Sequence, residues 1–234
     1  MAAYIKMAAD SPRKIALTAG IFYLLTFVSI PTLSLYTGIH DPNYILGSGP
    51  DTNVFIGVIL ELIVALTGIG TAVALYPLLK KQNGSVALGL VGARVLEAAT
   101  IFVGAAFLLA VVTLRQSGIG AEGLVTAKAL VTLYDRIFHV GQGLIPALDD
   151  LLLGYLLYKS KLVPRTLSII GLIGVPTLVA GNIFVLFGIL GQRDPSTFLF
   201  AVPVAVFEFT LGIWLIVKGF NSSAPLISNA KTNG

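Results

Sequence analysis

Apolar stretches of about 20 residues, the length a helix needs to cross a hydrocarbon core about 30 Å thick, recur six times along the chain. They lie near residues 15–38, 54–79, 85–114, 128–158, 166–191 and 197–218. Turn-forming clusters separate them: Asp41-Pro42-Asn43 and Gly47-Ser48-Gly49-Pro50, then Gln82-Asn83-Gly84, Gln116-Ser117-Gly118, Val163-Pro164-Arg165 and Arg193-Asp194-Pro195. This pattern predicts an all-α polytopic membrane protein, one membrane domain over residues 1–234 with six transmembrane helices. Residues 221–234 are polar and read as a flexible tail. Arg13 and Lys14 precede the first apolar run as in a signal peptide, but residues 15–39 are uncharged throughout. That is longer than a signal core of about 7–15 residues, so the run reads as a retained first helix.

Composition agrees. Of the 234 residues, 56% are hydrophobic and 11% charged, with a mean hydropathy of +0.92; soluble domains carry about 25% charged residues. The absence of cysteine excludes disulfides, thiolate catalysis and Cys-ligated zinc. The net charge of +4 comes from basic residues scattered through loops, which argues against a nucleic-acid partner. Lys6, Arg13, Lys14, Lys80, Lys81, Lys159, Lys161, Arg165, Lys218 and Lys231 fall on one side of the six-span topology, against Arg115, Lys128 and Arg193 on the other. The positive-inside rule then predicts that both termini are cytoplasmic.

The chemistry is carried by residues that ought to be absent from hydrocarbon. Six acids fall inside the spans (Glu61, Glu97, Asp135, Asp149, Asp150, Glu208), with Arg94, Arg136 and His139. Each charge in lipid costs about 2.5–3.5 kcal/mol on insertion scales, so these side chains are expected to face the bundle interior and pair, or stay neutral. A rise of about 1.5 Å per residue, measured from the inner lysine of each helix, sorts them by depth. Arg94, Glu97, Asp149, Asp150 and Glu208 fall near the midplane as a ligand or proton site. Glu61, Asp135, Arg136, His139 and Gln142 form an outer polar layer, expected either as a wet vestibule or as a solvated rim.

Asp135, His139, Gln142, Pro146 and Asp149 follow helical spacing, so a polar stripe on the fourth helix is expected to join the layers. Arg94 and Glu97 stand one turn apart and can pair, or Arg94 can reach Asp149 or Glu208. Adjacent Asp149 and Asp150 cannot share a helix face, so one is expected to meet a loop or water. Pro146 frees the carbonyl near Gln142, as in the broken helices that line transporter sites. Gly57, Gly68, Gly70, Gly141 and Gly143 read as close-packing positions. No Walker A lysine motif, nucleophile elbow or His-Glu-x-x-His zinc motif occurs, and His40 lies in the first outer loop, away from His139. No metal or cofactor is expected.

The string Gly92-Ala93-Arg94-Val95-Leu96-Glu97-Ala98 and the polar fourth helix resemble a bacterial family of integral membrane proteins, domain of unknown function 4386. The resemblance extends from about Lys14 to Lys218. It implies a multi-pass protein of the bacterial inner membrane and brings no activity with it.

The leading expectation is a buried carboxylate and arginine pocket that binds or moves a small cationic or amphipathic ligand, coupled to protons. An intramembrane enzyme acting on a lipid or isoprenoid by acid catalysis is the alternative, with Glu61 or His139 as relay. A ligand-free structural partner is a third. Membrane lipids are the expected surroundings, and six helices are few for a solitary transporter, which makes a homodimer an expectation too.

Overall fold

The computed structural model describes residues 11–232; Lys6 lies outside the described residues, as do the side chains beyond Ser228, Lys231 among them. Every regular element among the described residues is helical. Six helical segments are long and apolar enough to cross a membrane: Pro12–Leu35, Thr52–Leu79, Gly84–Gln116, Gly120–Ser160, Arg165–Leu186 and Pro195–Val217. The molecule is a multi-pass helical membrane protein.

The first span is not one helix. Helix α1 (Pro12–Leu25) starts at Ser11, whose hydroxyl accepts from the Lys14 N–H, and a 3₁₀ turn over Thr26–Ser29 separates it from α2 (Thr32–Leu35). The hydroxyls of Thr26, Ser29 and Thr32 each donate to the carbonyl three residues back, at 2.7, 3.4 and 2.7 Å. Pro31 has no N–H to offer. Hydroxyls bonded to the backbone and a missing donor together tighten and break the helix here.

Helix α3 (Thr52–Leu79) and helix α4 (Gly84–Gln116) form a long hairpin, and the Asn83 side chain caps α4 by accepting from the Val86 N–H at 3.1 Å. The fourth span comprises a 3₁₀ turn, α5 (Leu124–Phe138), a π-turn over His139–Leu144, and α6 (Ile145–Ser160). Helices α7 (Arg165–Leu186) and α8 (Pro195–Val217) complete the bundle. Helix α8 also packs on α1 and closes the ring.

Among the described residues, the two largest of four apolar clusters do most to hold the helices together. One contains Tyr23, Leu75, Leu90, Leu153 and Phe207; the other contains Tyr36, Val58, Ala105, Leu108 and Tyr134. The intramembrane ions fall between them, with Arg94 and Glu97 between Leu90 and Ala105 on α4 and Glu61 just beyond Val58 on α3.

The tail departs from expectation. Asn221 N–H donates to Leu162 O at 2.8 Å, Ala224 and Ile227 are buried in the first cluster, and α9 spans Pro225–Thr232. A short apolar run inside a polar composition is enough to anchor it. The Arg13 guanidinium donates to Leu215 O at 3.2 Å and Ile216 O at 2.6 Å, so the start of α1 lies beside the end of α8 on one side of the bundle.

Candidate functional site

Helix α4 presents Arg94 and Glu97 one turn apart, and the guanidinium gathers acids from two further helices. Its two terminal nitrogens donate to Glu97 Oε2 at 2.9 Å and to Glu208 Oε1 of α8 at 2.6 Å. Its Nε lies 3.5 Å from Asp149 Oδ2 of α6, an ion pair beyond ordinary hydrogen-bond length. Arg94 is 4% exposed, and Tyr23 of α1 places its ring 5.8 Å beneath the guanidinium carbon. On α3, Gly68 leaves room behind the pair: a Cβ there would stand 3.9 Å from Arg94 Cδ and 4.0 Å from Glu97 Oε2. Five helices therefore converge on one cation. Charge-assisted hydrogen bonds contribute about 1.5–3 kcal/mol each, which offsets the cost of holding the guanidinium away from water.

The acids exceed that single partner. Asp149 and Asp150 are both 0% exposed, and their four carboxyl oxygens accept no hydrogen bond of ordinary geometry among the described residues. The expectation that one would reach a loop or water is corrected. Successive helical residues point about 100° apart, but α6 is enclosed by α4 on one side and α7 on the other, so both directions lead inward. Asp150 lies within electrostatic reach of Glu208 and Arg94.

A cleft of about 170 Å³ opens beside this cluster, lined by Thr26, Phe27, Ser29, Ile30, Val64, Arg94, Glu97, Gln142, Pro146 and Glu208. The 3₁₀ break in the first span forms its wall. The mouth faces the flank of the bundle, where Ile30 is 62% exposed.

The outer residues do not form a single layer. Glu61 is 1% exposed and accepts from the Tyr134 hydroxyl at 2.7 Å, with the Tyr36 hydroxyl and the Gln142 side chain also close enough to act on its carboxyl group. The site is closed to bulk solvent, which corrects the wet vestibule for this residue: the ring of Tyr36, just after α2, packs edge-on against that of Tyr134 on α5. Asp135 lies at the bundle end, 3.0 Å from Arg193 and 3.1 Å from His40 Nε2, and Arg193 also contacts that nitrogen. His40 was not legible as part of this group, because 95 residues separate it from Asp135. Arg136, next along the helix, is exposed and makes no hydrogen bond or ion pair among the described residues. His139 is buried and lines a different cavity. The expected continuous stripe is thus broken, because the π-turn changes the helical register between His139 and Pro146. Gln142 and Pro146 line the ionic cleft; His139 does not.

At the same end, Asp51 accepts from Tyr44 (2.5 Å), Arg115 (2.7 Å) and Gln116 (3.0 Å), tying the first loop to the end of α4. Burial alone would raise the Asp51 carboxyl, but these donors outweigh it and hold it below its ordinary range. Burial, and then the bond to Asp51, push Tyr44 up to about 12.

A family model described as domain of unknown function (DUF4386) matches residues 18–219. The chain belongs to that family. The DUF4386 match covers five of the spans in full, the first from residue 18, and every residue of the Arg94 cluster, yet it assigns them no chemistry. No curated protein and no solved structure matches the chain.

Proposed function

We propose that the chain binds, and moves in exchange for protons, a small cationic or amphipathic ligand whose positive head enters the cleft between Glu97 and Glu208. The observation that carries this reading is stoichiometric. Four carboxyl groups (Glu97, Asp149, Asp150, Glu208) lie within electrostatic reach of one guanidinium, and the two aspartates accept no hydrogen bond of ordinary geometry among the described residues. Fully ionised, the cluster carries excess negative charge in hydrocarbon, so it must take up protons or a cation. Arg94 fixes the geometry. Glu208 and Glu97, at the cleft wall, meet the ligand; Asp149 and Asp150 behind them hold the protons that its charge displaces. A purely structural clamp would leave closed pairs with no cavity beside them, and the cleft next to Glu208 favours a ligand instead. The mouth on the flank suits a molecule arriving from the lipid. The side holding Arg13, Lys80, Lys159 and Lys218 is assigned to the cytoplasm by the positive-inside rule.

The test uses the full chain in lipid nanodiscs with dodecyltrimethylammonium as probe and tetraethylammonium as its chainless counterpart. Binding is read by thermal shift and by proton release into weakly buffered medium. Wild type is expected to release protons on binding, and Glu208→Gln to bind about tenfold more weakly. Equal affinity in both proteins, or binding without proton release, refutes the proposal.

A further inference from the structure

We propose that a second cavity, bounded by α5, the π-turn, α7 and the start of α8, binds the hydroxyl head of a neutral lipid-soluble alcohol. The cavity holds about 180 Å³, and its walls are mostly apolar, with Phe138, Leu178, Val185, Phe198 and Phe200 among them. No carboxylate lines it. Two of its lining residues each carry a buried polar atom without a hydrogen-bond partner among the described residues, His139 Nε2 and Gln192 Oε1. His139 is 96% buried, and both residues line the cavity.

The hydrogen bonding defines what fits. Gln192 Nε2 donates to Asp135 O at 3.0 Å, and because a carbonyl can only accept, the amide orientation is fixed. Gln192 Oε1 is therefore an acceptor that needs a donor. His139 Nε2 needs a partner in whichever tautomer the ring adopts. With the ring proton on Nε2, a hydroxyl answers both through one oxygen, donating O–H to Gln192 Oε1 and accepting from His139 Nε2–H. A ketone or ether leaves Gln192 unpaired, a carboxylate faces its oxygen, and an ammonium finds no counter-charge in these walls. Asn182 holds the rim in place by donating to Gly143 O and Leu178 O, both at 2.9 Å. The alkyl chain of the alcohol lies against the apolar lining, Leu178, Val185, Phe198 and Phe200. The assignment does not depend on a cation in the Arg94 cleft.

The experiment measures displacement of tritiated geraniol from the full-length protein in detergent, with geranyl methyl ether as the matched ligand lacking the O–H. Geraniol is expected to bind saturably and the ether about tenfold more weakly. Gln192→Leu is expected to abolish that preference, and Ala201→Phe, which places a ring in the cavity from its wall, to abolish saturable binding. Equal binding of alcohol and ether, retention of the preference in Gln192→Leu, or retention of binding in Ala201→Phe each overturns the proposal. Should Gln192→Leu fail to fold, Ala201→Phe and the ether comparison decide alone.

Discussion

Replacing Arg94 by Gln removes one cation from among three acids, and the distances allow the effect to be sized. Two charge-assisted hydrogen bonds are lost, at 2.9 Å to Glu97 and 2.6 Å to Glu208, together with the 3.5 Å pairing to Asp149. At about 1.5–3 kcal/mol per bond the direct loss is about 3–6 kcal/mol. Removing one partner of a buried pair costs about 3–5 kcal/mol in other proteins, where the remaining group is left charged and unpaired. Proton uptake by the abandoned carboxyls limits the penalty, so the expected destabilisation of Arg94→Gln is about 3–5 kcal/mol. Glu208→Gln is a milder change: the guanidinium keeps Glu97 and Asp149, and the amide oxygen still accepts, so the loss is about 1 kcal/mol. Because the two residues share one bond, a double-mutant cycle should return a coupling of about 1–3 kcal/mol. Reversible unfolding by steric trapping in bicelles measures all four proteins. A loss below about 1 kcal/mol for Arg94→Gln, or equal losses for the two single variants, would refute the reasoning.

The same assay tests packing and the buried outer acid. Tyr134→Phe strands Glu61 without its 2.7 Å hydrogen bond and should cost about 1–3 kcal/mol, more than Tyr36→Phe, whose hydroxyl makes no hydrogen bond of ordinary geometry among the described residues; the reverse order would reject the role given to Tyr134. In Gly20→Ala the new Cβ would stand 2.8 Å from Gly212 O and 3.1 Å from Ile216 N, backbone atoms that cannot swing aside. It should separate α1 from α8 at a cost of about 1–3 kcal/mol, and a neutral result would contradict the close approach. Asp51 contributes stability that is complete above its ordinary value of 3.8 and lost as pH falls through its lowered folded-state value. Asp51→Asn should therefore flatten the decline in melting temperature below about pH 4, and an acid limb superimposable on wild type would count against it.

The spans were legible because lipid demands uninterrupted apolar length, and the breakers mark their ends. Depth was legible too: counting from Lys159 and Lys218 put Asp149 and Glu208 at one level with Arg94, and both acids lie within 3.5 Å of that guanidinium. What escaped the sequence depends on local backbone competition or on distant pairing. The 3₁₀ break needed Thr26, Ser29 and Thr32 to bond their own backbone in the presence of Pro31. The burial of both Asp149 and Asp150 follows from α6 lying between neighbours, which one helix's periodicity cannot report. Likewise His40 meets Asp135 only through the folding of the first loop over α5.

The π-turn links these observations. Pro146 carries no N–H, so the carbonyl of Gln142 has no donor four residues on, and the backbone widens over His139–Leu144 instead of continuing as α-helix. Widening separates side chains that regular spacing would align, sending His139 into the apolar cavity while Gln142 borders both that cavity and the ionic cleft. Gly141 and Gly143 make this compatible with tight packing, since a Cβ at either would collide with Thr100 or with Asn182. One missing donor therefore accounts for two adjacent cavities of opposite character: one faces an excess of carboxyl groups, and the other a lone imidazole and a lone amide oxygen. That contrast is why a charged head is proposed for the first and a neutral hydroxyl for the second.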